Sequence, residues 1–160
     1  MVWIKLGSTT TTGNVAIIEV ESMQAKNFGQ ILYHVIGNSG TANTSFRVES
    51  DANQNYSSIE SGNGAAYGTH VNDTDLPTAQ FAANTEFVVN NMCNISGKEK
   101  LFISRTIDQG NAGAGGVPYR RQLFGKYDIT TGQITDVEWY DNDSGTSIAT
   151  KSNVSVIGTD

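Results

Sequence analysis

The 160-residue chain has only one cysteine, few charged residues and no long apolar run, and these shortages exclude several classes of protein. Its one cysteine, Cys93, rules out a disulfide within the chain. No stretch approaches the roughly 18 consecutive apolar residues of a membrane-spanning helix, so we expect no membrane partner. The apolar run over residues 1–6 ends at Gly7 and is too short for a secretory signal. Secreted proteins of this size often carry disulfides, so their absence favours assembly in the cytoplasm.

Basic residues are also scarce. Ten lysines and arginines face sixteen aspartates and glutamates, which gives a net charge of −6. No basic stretch is longer than two residues, so we expect no nucleic acid partner. Glycine, serine, threonine and asparagine are abundant instead, with 63 of the 160 residues. This composition is typical of turns and of strands with polar surfaces.

The hydrophobic pattern predicts strands. Residues 44–49 alternate, with Phe46 and Val48 on one side and polar residues on the other. Residues 30–36 are apolar on both sides apart from His34, which indicates a central strand covered on both faces. Two long strands, 85–95 and 100–107, are joined by a short glycine-containing turn that predicts a hairpin. Further strands are predicted at 1–6, 14–20, 119–127, 133–140 and 153–157.

Eight or nine short strands at this spacing predict an all-β protein, a single-domain antiparallel β-sandwich that is jelly-roll-like over residues 1–160. Only residues 22–28 have the pattern of a single helical turn, with Ser22 as its cap and Gly29 after its end. Residues 51–64 and 108–118 are predicted to be irregular loops. Loops of this length usually carry function or make contacts.

The residues that could catalyse a reaction or bind a metal ion do not form a recognisable motif. Asp51, Asn53 and Asn55 resemble the start of a calcium loop, but Tyr56 and Gly62 stand where glycine and glutamate are needed. A polar loop is therefore the better interpretation, and one cysteine with two distant histidines excludes a zinc site.

Catalytic residues are equally hard to find. Ser39 lies in a glycine-flanked turn, yet neither His34 nor His70 is identified as its base. Cys93 is interpreted as a small buried apolar residue of its strand. The sequence therefore predicts a protein that is not an enzyme and needs no cofactor and no metal.

An ordered series of short motifs in the C-terminal part carries a family resemblance. The series comprises Glu99-Lys100-Leu101, Asp108 with Ala112-Gly113-Ala114-Gly115, Pro118-x-Arg120-Arg121, Gly125-Lys126-Tyr127 and Thr131-x-Gln133-Ile134-Thr135. With Trp3 near the start and Gly158-Thr159-Asp160 at the end, it resembles short β-rich virion structural proteins of tailed phages and aquatic viral sequences. The resemblance covers the last sixty residues or so, and it assigns no catalytic residue.

The resemblance implies a structural role in a virus particle. We expect a decoration or cement protein on the outer surface of a phage head, with a place in the tail as the less favoured location. Its partners would be the major capsid protein and further copies of itself, as a homo-oligomer and most simply a trimer. Such a protein would stabilise the shell by bridging neighbouring subunits.

The glycine-rich loop and the two arginines after it are the predicted interface. Glycine lets another chain approach the backbone directly, and an ordered loop of this kind needs partners for its backbone polar groups. Arg120 and Arg121 should point to opposite faces of one strand, so that one pairs internally and the other faces outward. The predicted interface residues are Gly110, Ala112, Gly113, Ala114, Gly115, Gly116, Pro118, Arg120 and Arg121.

A second hypothesis is a carbohydrate- or receptor-binding module, in a tail fibre or as a glycan-binding domain. In this interpretation the loop over residues 51–64 lines a pocket, and its polar and aromatic side chains hold a sugar. The glycan-binding candidates are Asp51, Asn53, Asn55 and Tyr56. The assembly hypothesis instead expects this loop to face solvent at the tip of the domain.

Overall fold

A computed structural model describes residues 2–37, 41–82, 85–109, 114, 116–142, 145 and 148–160, with the backbone alone at 41–43, 67 and 78–82. All regular secondary structure in these residues is β-strand. The strands are β1 (Ile4–Thr10), β2 (Ile17–Val20), β3 (Phe28–Ile36), β4 (Thr41–Val48), β5 (Tyr56–Gly62), β6 (Ala65–Asp73), β7 (Leu76–Ala82), β8 (Thr85–Cys93), β9 (Lys100–Asp108), β10 (Tyr119–Tyr127), β11 (Val137–Asp141) and β12 (Asn153–Thr159).

The strand pairing is that of a jelly roll. One sheet has the order β1-β12-β3-β8-β9-β10-β5-β6 and the other β2-β11-β4-β7, and the paired strands are antiparallel. Four of the pairs are nested along the chain, β1 with β12, β2 with β11, β3 with β8 and β4 with β7. A long antiparallel hairpin rolled into two sheets produces this nesting, and the predicted jelly-roll-like sandwich is confirmed.

Two inserted hairpins make the sheets unequal. The β5–β6 hairpin lies between β4 and β7 in the chain, and the β9–β10 hairpin lies between β8 and β11. All four inserted strands join the same sheet beyond β8, which therefore has eight strands while the other keeps four. The larger sheet consequently presents a broad outward side.

The core lies between the two sheets. Along β9 every second residue is buried, and the buried set of both sheets forms one apolar cluster. At its centre the ring of Trp139 stacks on Tyr33 at 4.7 Å between centroids and contacts Phe46 at 4.6 Å. Trp139 is fully buried, as its alternation with Val137 predicts. These rings join the two sheets at the middle of the sandwich.

Gly125 allows the sheets to approach each other at β10. A Cβ atom added there would lie 2.8 Å from Cδ2 of Leu76 and 3.1 Å from Cδ2 of Leu123. We therefore expect Gly125→Ala to lower the free energy of unfolding by about 1–3 kcal/mol, because the core is overpacked. Chemical denaturation measures the loss. Gly13→Ala is the control, since nothing lies within 4 Å of its added Cβ, and an equal loss in both variants would contradict the packing argument.

Two local predictions are wrong. Residues 22–28 form no helical turn, because the Ser22 amide donates to Asp136 Oδ1 at 2.6 Å and the Met23 amide donates to the Thr135 carbonyl at 2.9 Å. These bonds, with the burial of Met23, tie the segment to the loop before β11. Residues 51–64 are not an irregular loop throughout, since β5 occupies half of that stretch.

Candidate interaction surface

The outward side of the eight-stranded sheet forms a broad surface across five neighbouring strands, β3, β8, β9, β10 and β5. The residues that point outward alternate with the buried residues of the same strands, and together we call them the outer face. The outer face consists of Phe28, Gln30, Leu32, His34, Ile36, Ser57, Ile59, Ser61, Thr85, Phe87, Val89, Asn91, Cys93, Leu101, Ile103, Arg105, Ile107, Arg120, Gln122, Phe124 and Lys126. The four-stranded sheet packs against the inner side of the larger sheet, and no described strand packs over the outer face.

A row of large apolar side chains crosses the middle of the outer face. Ile103 of β9 lies directly opposite Phe124 of β10, and Phe124 lies directly opposite Ile59 of β5. They remain 42%, 47% and 55% exposed, respectively. Contiguous apolar surface of this kind marks interaction sites, because a monomeric protein seldom leaves it uncovered. The row is therefore the strongest candidate for a contact with another chain.

The outer face also differs from the whole molecule in charge. None of its residues is an aspartate or glutamate, although the chain carries a net charge of −6. Its cationic side chains are Arg105, Arg120 and Lys126, and Lys126 is 3.2 Å from Glu99 in the turn before β9. An acidic molecule thus presents one apolar and basic side, which is suited to a partner with acidic groups around an apolar centre.

A cleft of about 410 Å³ lies where β9, β10 and the turn after β5 meet. Three of the four arginines of the chain line it, Arg105, Arg120 and Arg121. Its nine described lining residues include no aspartate or glutamate. Arg121 Nε is 2.9 Å from Glu60 Oε2, so its charge is neutralised from the inner side of the sheet. Arg105 and Arg120 form no side-chain hydrogen bond or ion pair with the described residues.

A buried polar cluster lies behind this cleft, on the inner side of the same strands. Glu60 accepts from Arg121 Nη2 at 3.2 Å and lies 3.3 Å from His70 Nε2. Glu86 is directly opposite Asp108 on the neighbouring strand and is 1% exposed. Burial, and then the negative charge of Asp108, raise the pKa of Glu86 well above its ordinary value. The folded chain therefore holds this proton to a higher pH than the unfolded chain does.

The proton on Glu86 makes stability depend on pH. The unfolded chain releases it near pH 4.5 and the folded chain only at a higher pH, so stability falls as pH rises from about 4.5 toward the pKa of the folded state. The slope from one such group is at most about 1.4 kcal/mol per pH unit. We expect Glu86→Gln to match the wild type near pH 4 and to be more stable than it at pH 7. Denaturation across this pH range measures the difference, with Glu99→Gln as the exposed control. A constant difference at every pH would contradict the assignment.

Gly116, Pro118 and Arg120 of the predicted interface lie at one end of the outer face. Arg121 pairs inward with Glu60 and Arg120 is exposed, which confirms that the two arginines point to opposite sides. Ala114 and Pro118 are exposed and Gly116 is half-buried. Gly116 and Pro118 share a shallow cleft of about 550 Å³ with outer-face residues Phe87 and Ile107. Gly110, Ala112, Gly113 and Gly115 lie outside the described residues.

The structure brings three of the four glycan-binding candidates together and buries the fourth. Asp51, Asn53 and Asn55 do come together, but Asp51 accepts hydrogen bonds from both asparagine side chains, at 2.5 and 2.7 Å, and from Tyr127. Burial raises the pKa of Asp51, but these bonds together with one from the Asn53 backbone amide at 2.9 Å outweigh burial and hold the pKa below its ordinary value. Tyr56 is 1% exposed and its hydroxyl donates to the Val48 carbonyl, so its ring cannot stack on a sugar. The prediction that the loop over residues 51–64 faces solvent at the tip of the domain is therefore wrong for Tyr56.

The residues considered for catalysis or metal binding are scattered. Cys93 is half-buried on the outer face rather than fully buried, and His34 lies on β3 of the same face. His70 contacts Glu60 and Asp73, and Ser39 lies outside the described residues. No group of three or more potential metal-ligating side chains occurs among the described residues. The described residues also contain no helix that is long and apolar enough to span a lipid bilayer.

The row of Ile103, Phe124 and Ile59 was not predicted as a site. One signal was present in the sequence, because residues 101–103 are all large and apolar, so both sides of that strand must be apolar. No protein-family model matches the chain, and no curated protein matches it significantly.

Proposed function

We propose that the chain is a structural protein of a tailed-phage virion, a decoration or cement protein that binds the head through its outer face. The observation that carries the proposal is the exposed row of Ile103, Phe124 and Ile59 at the centre of the outer face, which no described strand covers and whose members include no acidic residue. The resemblance of the C-terminal motifs supports the virion as its location. Jelly rolls are common in virus particles, though the fold alone does not define a function.

The proposed action is mechanical. Apolar surface buried between neighbouring subunits contributes roughly 25 cal/mol per Å². A chain that contacts two capsid subunits, or another copy of itself in a homo-oligomer, therefore resists their separation under the pressure of packaged DNA. The unequal sheets suit this role, because the two inserted hairpins widen the outer face without changing the jelly-roll core.

Glycan recognition is less well supported as a function. Its four predicted residues are engaged with one another or buried, and the Tyr56–Tyr127 ring pair lies inside the sandwich. The outer face offers uncovered phenylalanines, but they lie in a broad sheet surface, and such surfaces are typical of contacts between proteins.

The composition of purified particles tests the proposal. Mass spectrometry of density-gradient-purified virions from the virus that encodes the chain should find it in tens to hundreds of copies per particle. Particles made without it should release their DNA at a lower temperature. A chain confined to the infected-cell lysate, with no change in particle stability on its deletion, would contradict a structural role in the virion.

A further inference from the structure

The cleft beside the apolar row contains two arginines, Arg105 and Arg120, whose side chains form no hydrogen bond or ion pair with the described residues. Arg105 lies opposite Gln122 and Arg120 lies opposite Ile107, so the two arginines are diagonal neighbours on one face of the β9–β10 pair. Diagonal neighbours in such a pair are about 7–8 Å apart at the backbone, within reach of one ligand for two long side chains. Arg120 extends toward the turn after β5, where its Nη2 would be 3.6 Å from a Cβ added at Gly64.

Their electrostatic state is unusual for this chain. The other two arginines are both paired, Arg47 with Glu138 at 3.8 Å and Arg121 with Glu60 at 2.9 Å. Arg105 and Arg120 have no such partner among the described residues, although the chain has sixteen acidic residues. Two adjacent like charges repel each other, and an oxyanion placed between them removes that repulsion.

The rest of the cleft adds polar donors and an apolar wall. The Asn63 carboxamide oxygen accepts from the Arg120 backbone amide at 3.1 Å, which leaves its NH₂ group as a further donor. Gln122 supplies another carboxamide, and Ile107 provides the apolar contact. None of the nine described lining residues is aromatic, so no ring is available to stack on a sugar.

We propose that this cleft binds a carboxylate of an acidic peptide segment, held between the guanidinium groups of Arg105 and Arg120. Guanidinium groups bind planar carboxylates through paired hydrogen bonds. The continuity of the cleft with the apolar row favours a polypeptide, because one segment can place an acidic side chain on the arginines and apolar side chains on Phe124. The inference rests on the proposed function, since that segment belongs to a neighbouring protein of the particle.

NMR titration of the isolated, ¹⁵N-labelled chain tests the inference. The probe is an acetylated, amidated tetraglutamate peptide at low ionic strength, compared with trigalacturonate and with inorganic phosphate. We expect saturable shifts centred on Arg105 and Arg120, and at least fivefold weaker binding by the Arg105→Gln, Arg120→Gln double variant. Lys5→Gln with Lys98→Gln is the matched control, because it removes two positive charges from exposed positions outside the cleft and outside the outer face.

Three results would overturn the inference. One is the absence of saturable binding, and another is equal weakening in the arginine and lysine double variants. The third is tighter binding of trigalacturonate or phosphate than of the peptide, which would assign the cleft to an acidic saccharide or a simple anion. None of these results alters whether the chain is found in purified particles, so the inference can fail while the proposed function stands.

Discussion

Replacement of Trp139 by alanine is expected to lower the free energy of unfolding by about 3–5 kcal/mol, the largest loss we expect from one substitution in this chain. Trp139 is fully buried and packs on Tyr33 of the large sheet and on Phe46 of its own sheet. Alanine removes both ring contacts and leaves a cavity where the two sheets meet. Urea denaturation followed by circular dichroism measures the loss.

The second tryptophan of the chain provides the control. Trp3 is 46% exposed and precedes β1, so Trp3→Ala should change stability by less than about 1 kcal/mol. If Trp139→Ala does not fold, Trp139→Phe keeps an aromatic ring in the core and should give a smaller, measurable loss. Equal stability of the Trp139 and Trp3 variants would contradict the packing of the two sheets described above.

Phe124→Asp should reduce uptake of the chain by particles at least tenfold while leaving its fold intact. Phe124 lies at the centre of the apolar row, and the few residues that dominate an interface cluster near its centre and cost about 2 kcal/mol or more when truncated. Each 1.4 kcal/mol corresponds to a tenfold change in affinity. Aspartate also adds a negative charge to a face that has none. The assay adds recombinant chain to particles from which its gene has been deleted and measures the bound copies.

Ile17→Asp is the matched control for this experiment. Ile17 has the same exposed fraction as Phe124, 47%, but lies on β2 of the four-stranded sheet. We expect its variant to bind particles like the wild type. If both variants bind normally, or if both lose binding equally, the outer face is not the contact surface that we propose.

The jelly roll could be predicted from sequence because its core strands have clear alternation, such as Phe46 and Val48 of β4. The inserted strand β5 could not be predicted in the same way. Tyr56 and Ile59 point to opposite sides of that strand, and small polar residues occupy most of its other positions. The Asn63-Gly64 pair was nevertheless a usable signal, since both residues have positive φ, 48° and 89°, as a two-residue hairpin turn requires.

The candidate surface was harder to predict, because it depends on pairing between distant strands. The sequence places Arg105 and Arg120 fifteen residues apart, and only the β9–β10 register makes them neighbours. Ile59 meets Phe124 through a pairing that links the two inserted hairpins across more than sixty residues. Alternation indicates which side of a strand a residue occupies, but it does not indicate which strand lies beside it.

Electron cryomicroscopy of purified particles that carry the chain tests the central claim most directly. Our account predicts that the outer face, with Ile103, Phe124 and Ile59 at its centre, is covered by a neighbouring chain in the particle. The four-stranded sheet should then be the more exposed side. A map in which the outer face is open to solvent and the chain is attached through β2, β11 and β4 would contradict the account.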